Sequence, residues 1–525
     1  MTKMSQYDVI VVGGGMAGLV CSNFLARYGK RVLLLEQNHQ VGGNMSGFWR
    51  KGFYFDGGDQ SFESMGVVFP ILEELGICTA ADFHKARYRM VSGDFDFFVD
   101  TVDGAEEALR AAFPNETGLK DVFDEVRRVS TFLERNYVPE NIPVLNNPSL
   151  GHFARLLPWA PRLLKWTRFS YRERVCSAVK DPGLRNWLTN IGYYKMPFLF
   201  FAGFWHIWAH DYWYPKGGMQ HMLNLLGESP AEHGGTVQCN TRVSKINIVD
   251  GTARGVVLAD GTRIDADQVV YAGDYKRFVG GLVPEEHFSG RFLKQIRESR
   301  LTEEILSVYL GVNRRPEELR EQLQGNHVFF FPNYDVVFPD PSHDRDVHRR
   351  MWVAVNEFSE AHPESAPEGK ATLTIQTYSS YDWEDRWHNG SGGTPRTEEY
   401  RRFKRDTAHQ LVETAENVLP GLSQDIEYFD AGTPLSAEHF TMNTNGSTGG
   451  WCYHDKVSPV FKRWSLNMFK TPIRKLTATG HYTLWPGGVI SAALSGRLVA
   501  NIVAGKGALT PLEVTRARSA TFGRD

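Results

Sequence analysis

The sequence predicts an α/β fold: a Rossmann-type nucleotide-binding lobe with an α+β lobe inserted into it. Three observations predict it. A strand, a glycine turn and a helix open the chain. A strand–hairpin–strand segment returns near the middle. A strand, a Pro-Gly-Gly turn and a small-residue helix come near the end.

Tyr7–Val12 (YDVIVV) reads as a buried parallel strand, short and rich in β-branched residues. Gly13-Gly14-Gly15-Met16-Ala17-Gly18 follows and satisfies G-x-G-x-x-G. Residues 19–28 read as a helix stopped by Gly29, and residues 31–35 as a second strand ending in Glu36. Each residue type has a task in this order. Gly13 permits the tight turn. Gly15 lets the backbone approach a pyrophosphate, with Met16 and Ala17 beside it where free N–H groups gather. Gly18 lets helix and strand pack closely. Glu36, followed by Gln37, is placed for ribose hydroxyls.

Val41-Gly42-Gly43-Asn44-Met45-Ser46 comes next, then Tyr54-Phe55-Asp56-Gly57-Gly58. This succession resembles the FAD-binding start of the amine oxidase and phytoene desaturase superfamily. The resemblance implies that Gly43, Asn44, Gly57 and Gly58 lie along the FAD ribose and phosphates. Many members carry Arg after the glycine pair. Asn44 stands there in this chain, which removes one charge-assisted phosphate contact.

In the middle segment, residues 241–246 read as a strand. Asp250-Gly251 and Asp260-Gly261 read as turns, and residues 268–274 as the closing strand. The resemblance implies that the Val243 backbone meets the adenine; the alternative is a plain core valine. Near the end, residues 476–480 read as a strand, residues 481–490 as a turn and residues 491–503 as a helix. This piece resembles the family's last flavin motif. It implies that Gly480, Gly488, Val489 and Ile490 approach the isoalloxazine. N–H groups at the helix start would then stabilise negative charge on reduced flavin. His481 and Trp485 sit in the turn, where they either meet flavin or substrate or serve as a turn histidine and a core tryptophan. Across both ends and the middle, the chain resembles the FAD-dependent phytoene desaturase, carotenoid isomerase and retinol saturase group.

Tyr214-Pro215-Lys216-Gly217-Gly218-Met219-Gln220 resembles that group's Y-P-x-G-G element, which implies that Tyr214 and Gly218 lie beside the flavin. Upstream, residues 193–208 are aromatic on every face. They form a buried core helix or the wall of an apolar tunnel, with Tyr194, Phe201 and Trp205 as wall residues. Residues 446–451 mark another backbone approach, ending in Trp451. His210 and Asp211, with His481, are the acid–base candidates. No Ser–His–Asp order and no H-E-x-x-H spacing is legible, so no metal is expected.

Residues 155–180 carry Arg155, Arg162, Lys165, Arg168, Arg172, Arg174 and Lys180 against the single acid Glu173, interleaved with Leu and Trp. That pattern suits an anionic membrane surface or a solvated basic helix. Residues 456–475 repeat it more weakly.

Lys+Arg is 58 against Asp+Glu 61, for a net charge of −3, which argues against a nucleic-acid partner. Five cysteines without C-x-x-C argue against a disulfide framework or a thiolate zinc site. There is no leader pattern and no run of 18 uncharged apolar residues. The expectation is a cytoplasmic chain, soluble or peripheral at a membrane. The FAD-binding lobe is expected at 1–95, 230–278 and 470–525, and the substrate lobe at 96–229 and 279–469. The resemblance implies an FAD enzyme acting on carbon–carbon bonds of a long apolar isoprenoid or polyene. An amine oxidase is the alternative, disfavoured because residues 306–312 lack the family lysine. A non-catalytic FAD-bound lipid carrier is a third. Oxygen, a quinone and a nicotinamide stay open as electron acceptor; no second G-x-G-x-x-G is present.

Overall fold

The computed structural model describes residues 6–58, 60–137, 150–192, 196–334, 346–390, 395–452 and 469–513. Two seven-stranded sheets organise them. Across the first, the order is Thr236–Gln238, Val32–Leu35, Tyr7–Val12, Arg263–Tyr271, Thr252–Leu258 and Val243–Val249. Leu476–Ala478 lies parallel to Arg263–Tyr271, with Val270 opposite Thr477. The strands at the parallel end are apolar throughout because helices cover both faces. Thus Val9, Ile10, Val11, Leu33 and Leu34 are buried.

Helix α1 (Met16–Arg27) follows the first strand. It begins three residues earlier than the sequence suggests. Gly15 adopts an extended conformation and caps it, which leaves Met16 and Ala17 inside the first turn. The small-residue helix Gly488–Val503 also starts three residues early, because Gly487 caps it with φ +76°. It packs directly on α1. A Cβ at Gly496 would lie 2.4 Å from Ala17 O.

The second sheet runs Ile426–Gly432, Glu304–Val312, Ala371–Ser379, Val353–Asn356, His327–Phe331, Tyr88–Ser92 and Asp96–Phe98. It is antiparallel except where His327–Phe331 pairs with Tyr88–Ser92. Tyr88–Ser92 lies within the stretch 1–95, yet its hydrogen bonds place it in this second sheet. The helix Glu398–Ala415 buries Ala408, Leu411 and Val412 in the same apolar cluster as Leu306, Val308 and Leu310. Within Trp383–His388 the backbone turns left-handed, with φ between 44° and 60°, and buries Trp387; residues 391–394 lie outside the described set.

A helical layer stands beside the sheets: α2 (Gly118–Asn136), α3 (Leu150–Leu156), α4 (Ala160–Arg168) and α5 (Phe198–His210). Helix α2 buries Leu119, Val122, Phe123, Val126, Val129 and Leu133, the three-and-four spacing of an amphipathic helix. Its Glu125 accepts from Lys165 at 2.5 Å and from Arg174 at 3.0 Å. Two cations of the basic segment are therefore paired to an acid from another helix. No helix among the described residues is long and apolar enough to cross a membrane.

Candidate active site

One cavity of about 1940 Å³ runs between the first sheet and the helical layer. Its polar end is built by the glycine turns. Gly13 has φ +108°, open to glycine alone without strain. A Cβ at Gly18 would lie 2.0 Å from Gly13 O, so the helix could not sit this close to the strand with any side chain there. At Gly15 a Cβ would meet nothing within 4 Å, and Gly15 lines the cavity at the start of α1. This leaves an open cradle at a helix N-terminus, the geometry that receives a phosphate.

Glu36 is buried. Its carboxylate accepts from Gly14 N at 2.7 Å and Asn38 N at 2.8 Å. Gln37 and Val243 line the cavity beside it. Gly42 N donates to Gly14 O at 2.8 Å, which docks the second glycine loop on the first and brings Gly43 against Gly15. Where Arg is common in the resembling family, the Asn44 amide donates to Thr448 O at 3.2 Å and accepts from Asn443 at 3.3 Å. Asn44 therefore ties the cofactor loop to a distant segment. Gly58 lines the cavity, whereas Gly57 stands behind it and donates to Ser46 O at 2.8 Å.

Further along, Gly480 (φ +107°), Gly488, Val489 and Ile490 line the cavity, as do His481 and Trp485. His481 Nε2 is buried without a hydrogen-bond partner. Burial holds its imidazole down to about 4, with Asp274 opposing, so it is neutral at pH 7. Asp274 also lines the cavity and accepts from Tyr482 Oη at 2.8 Å and Thr444 N at 2.6 Å. An open glycine cradle, a carboxylate at the second strand's end and an orphaned donor-acceptor nitrogen fit a dinucleotide with a polar ring system, as FAD is.

The other end of the cavity is apolar. Phe132 and Leu133 come from α2, Leu163 and Leu164 from α4, and Phe200, Phe204, Ile207 and Trp208 from α5. Leu164 both lines the cavity and is 53 % exposed, so the cavity reaches the surface at α4. On α3, α4 and the turn between them, Leu150 (90 % exposed), Phe153 and Leu157 (69 %) are exposed, as are Arg155, Arg162 and Arg168.

Several residues expected at the site stand elsewhere. Phe201 and Trp205 face the opposite side of α5. Phe201 stacks on Tyr171 at 4.1 Å and the Trp205 indole donates to Tyr171 Oη at 3.2 Å. Tyr214 does not line the cavity either. Its hydroxyl donates to Asp56 at 2.6 Å, as does that of Tyr54. Burial pushes the Asp56 carboxyl up to about 6, opposed by these hydroxyls. Gly218 (φ +89°) leaves room for the Tyr54 ring, 2.7 Å from where its Cβ would be. The Y-P-K-G-G element therefore supports the F-D-G-G loop from behind. Trp451 is fully buried against Tyr482, its indole donating to Tyr482 O at 3.0 Å. Asp211 accepts from Met65 N at 2.5 Å and from the Trp213 indole at 2.7 Å, and does not itself line the cavity. His210 is an exposed residue ending α5. Tyr194 lies outside the described residues.

The second sheet supplies what sequence reading missed. His327, Asn356 and Gln376 present a polar row to the cavity. Ser61 Oγ lies 2.6 Å from His327 Nε2, and the other ring nitrogen meets Asn356. Burial holds His327 down to about 4. Gln376 donates to Gly58 O and Ser307 Oγ, both at 3.0 Å. Among the described lining residues there are two imidazoles, His327 and His481, and no lysine.

Residues 16–504 match the family model described as flavin containing amine oxidoreductase. The chain is 26 % identical to all-trans-retinol 13,14-reductase of Danio rerio, over 94 % of this chain and 85 % of that one. It is 25 % identical to chloroplastic prolycopene isomerase of Arabidopsis thaliana, over 95 % and 83 %. Among solved structures, an oxidoreductase from Methanosarcina mazei aligns with a TM-score of 0.60 at 17 % identity, covering 94 % of this chain and 99 % of that one.

Proposed function

The chain belongs to the flavin containing amine oxidoreductase family and is an FAD-dependent oxidoreductase; from that premise we propose that it acts on carbon–carbon bonds of a long apolar isoprenoid or polyene. The observation that carries the reading is the cavity's two-ended character. Its volume of about 1940 Å³ exceeds the roughly 300–1,000 Å³ of an ordinary ligand pocket, leaving room for an extended chain beyond the cofactor cradle. The section beyond the cradle is walled by Phe, Trp and Leu. Relatives named for a retinoid and a carotenoid support the same substrate class. The lysine-free lining supports it over an amine.

In this reading Gly13, Gly15, Met16, Ala17 and Glu36 hold the nucleotide end of FAD, and Gly480, Gly488, Val489 and Ile490 hold the ring. Bound FAD supplies hydride or electron exchange with a substrate carbon. Phe200, Phe204 and Trp208 align the polyene and exclude water, which supplies most of what such a transfer asks of a protein. Of the groups that line the cavity, the neutral imidazoles His327 and His481 are assigned the proton transfer in this reading. The FAD lobe comprises 1–95, 230–278 and 470–525, less the strand Tyr88–Ser92, and the substrate lobe the remainder. The substrate enters at the α3–α4 mouth. There, exposed Leu150, Phe153 and Leu157 among arginines meet an anionic bilayer as a peripheral contact.

Expression in hosts that accumulate defined polyenes, with chromatography and mass spectrometry of the extracts, tests this. A gain or loss of two hydrogens, or a changed retention time at unchanged mass, is the expected result. The first sets the redox direction; the second defines an isomerase. No change with any polyene refutes the substrate class.

A further inference from the structure

We propose that Glu134, His206 and His210 form a binding site for a divalent transition-metal ion of the zinc class, clamping helix α2 to helix α5. His206 and His210 are one helical turn apart on α5, their ring centroids 5.0 Å from each other. Glu134 comes from α2. One ligand-capable atom of each residue lies within 4.8 Å of the other two. Two imidazole nitrogens and one carboxylate oxygen are a donor set that zinc takes, with a fourth position left for water.

The local geometry reads as a metal-free form of such a site. His206 Nδ1 is 4.0 Å from Glu134 Oε1. The Ser130 hydroxyl fills the gap, 2.8 Å from His206 Nδ1, and donates to Glu134 Oε1 at 3.3 Å. Tetrahedral zinc, with bonds of roughly 2.0–2.2 Å, separates its donors by about 3.4 Å. Closing the set therefore asks for side-chain shifts of about 1 Å. Glu134 and His210 are exposed and can make that shift; His206 is buried and serves as the fixed ligand.

None of the three residues lines the cavity, so this site is separate from the FAD and substrate site. Its two helices do line it, α2 through Phe132 and Leu133 and α5 through Phe200 and Phe204. The ion would fix the spacing of these two walls from outside.

The test uses the FAD-loaded full chain, stripped with a chelator and dialysed, then titrated with zinc chloride by calorimetry and followed by thermal melting. The expected result is one equivalent bound and a raised melting point. His210→Ala and Glu134→Gln should each weaken binding at least about tenfold. His233→Ala, an exposed histidine elsewhere, should leave it unchanged. Ser130→Ala removes the bridging hydroxyl and should retain or tighten the affinity, an outcome that a mere hydrogen-bonded cluster would not give. Absence of stoichiometric binding by the unmutated chain overturns the proposal. So does equal affinity in His210→Ala and Glu134→Gln, whose flavin absorbance reports that they are folded.

Discussion

Gly496→Ala separates the close-packing account of the cofactor lobe from ordinary helix propensity. In a helix interior, Ala is favoured over Gly by about 1 kcal/mol, so propensity alone predicts a gain in stability. The contact geometry predicts a loss. The new Cβ would lie 2.4 Å from Ala17 O and 3.2 Å from Ala17 C and Cys21 N, about 1 Å inside ordinary contact at its worst. All three atoms are backbone of α1, so no side chain can swing aside and the helix itself must move. Overpacking of this kind costs about 1–3 kcal/mol, and a rigid neighbour puts the cost near the upper figure. The net is a loss of about 1–2 kcal/mol. The displaced helix carries the open cradle at Gly15, so FAD should bind about fivefold or more weaker. Urea unfolding followed by flavin fluorescence, and titration of the apoprotein with FAD, measure the two effects. Gly290→Ala, whose Cβ would meet nothing within 4 Å, is the control and should be neutral or slightly stabilising. If Gly496→Ala matches that control in both measurements, the close approach of the two helices does not exist as described.

Phe201→Ala should cost about 3–5 kcal/mol of stability, since the ring is buried and stacked, and its urea midpoint should fall accordingly. Phe204→Ala, on the cavity face of the same helix, should keep most of that stability and instead raise the KM for a polyene. His481 is held near 4 against an ordinary 6.5, so between those values the unfolded chain binds a proton that the folded chain refuses. Its contribution is intact above pH 6.5 and falls away as pH drops toward 4. His481→Asn should flatten this slope in urea midpoints measured across that window. The double change Leu157→Ser with Phe153→Ser should reduce cosedimentation with phosphatidylserine vesicles while leaving flavin content unchanged; equal sedimentation refutes the bilayer contact at the cavity mouth.

The nucleotide cradle was legible in the sequence because its chemistry is backbone chemistry. Turns that must approach a phosphate or another helix need glycine, and glycine at fixed spacing shows in one dimension. What failed was phase and distance. Helix α5 is aromatic all round, so its pattern carries no sign of which face meets a cavity. Phe201 and Trp205 therefore read as well as Phe200 and Phe204. Tyr214 sits next to a glycine pair, and nothing local reveals that its hydroxyl turns to Asp56, far away in the chain. His327 looks like one residue of an apolar strand; only its pairing with Asn356 and its position opposite Ser61 bring it to the cavity. The spacing of His206 and His210 is visible in the sequence, but their third partner arrives on another helix. The opposing acid Glu125 of the basic segment was hidden for the same reason.

The strand Leu476–Ala478 completes the first sheet, and the helix behind it rests on α1, whose own residues lie nearly the whole chain away. At roughly 5–20 residues per second, a ribosome needs on the order of a minute between making one partner and the other. During that time α1 must wait with Ala17, Cys21 and Phe24, the residues the later helix packs on, uncovered; all three end buried. The part of the site lined by Gly480, Gly488, Val489 and Ile490 therefore exists only after synthesis has passed these last pieces, which makes full cofactor binding a late event of biogenesis. Until that helix is made, the uncovered face of α1 is an apolar surface of the kind chaperones hold and proteases cut.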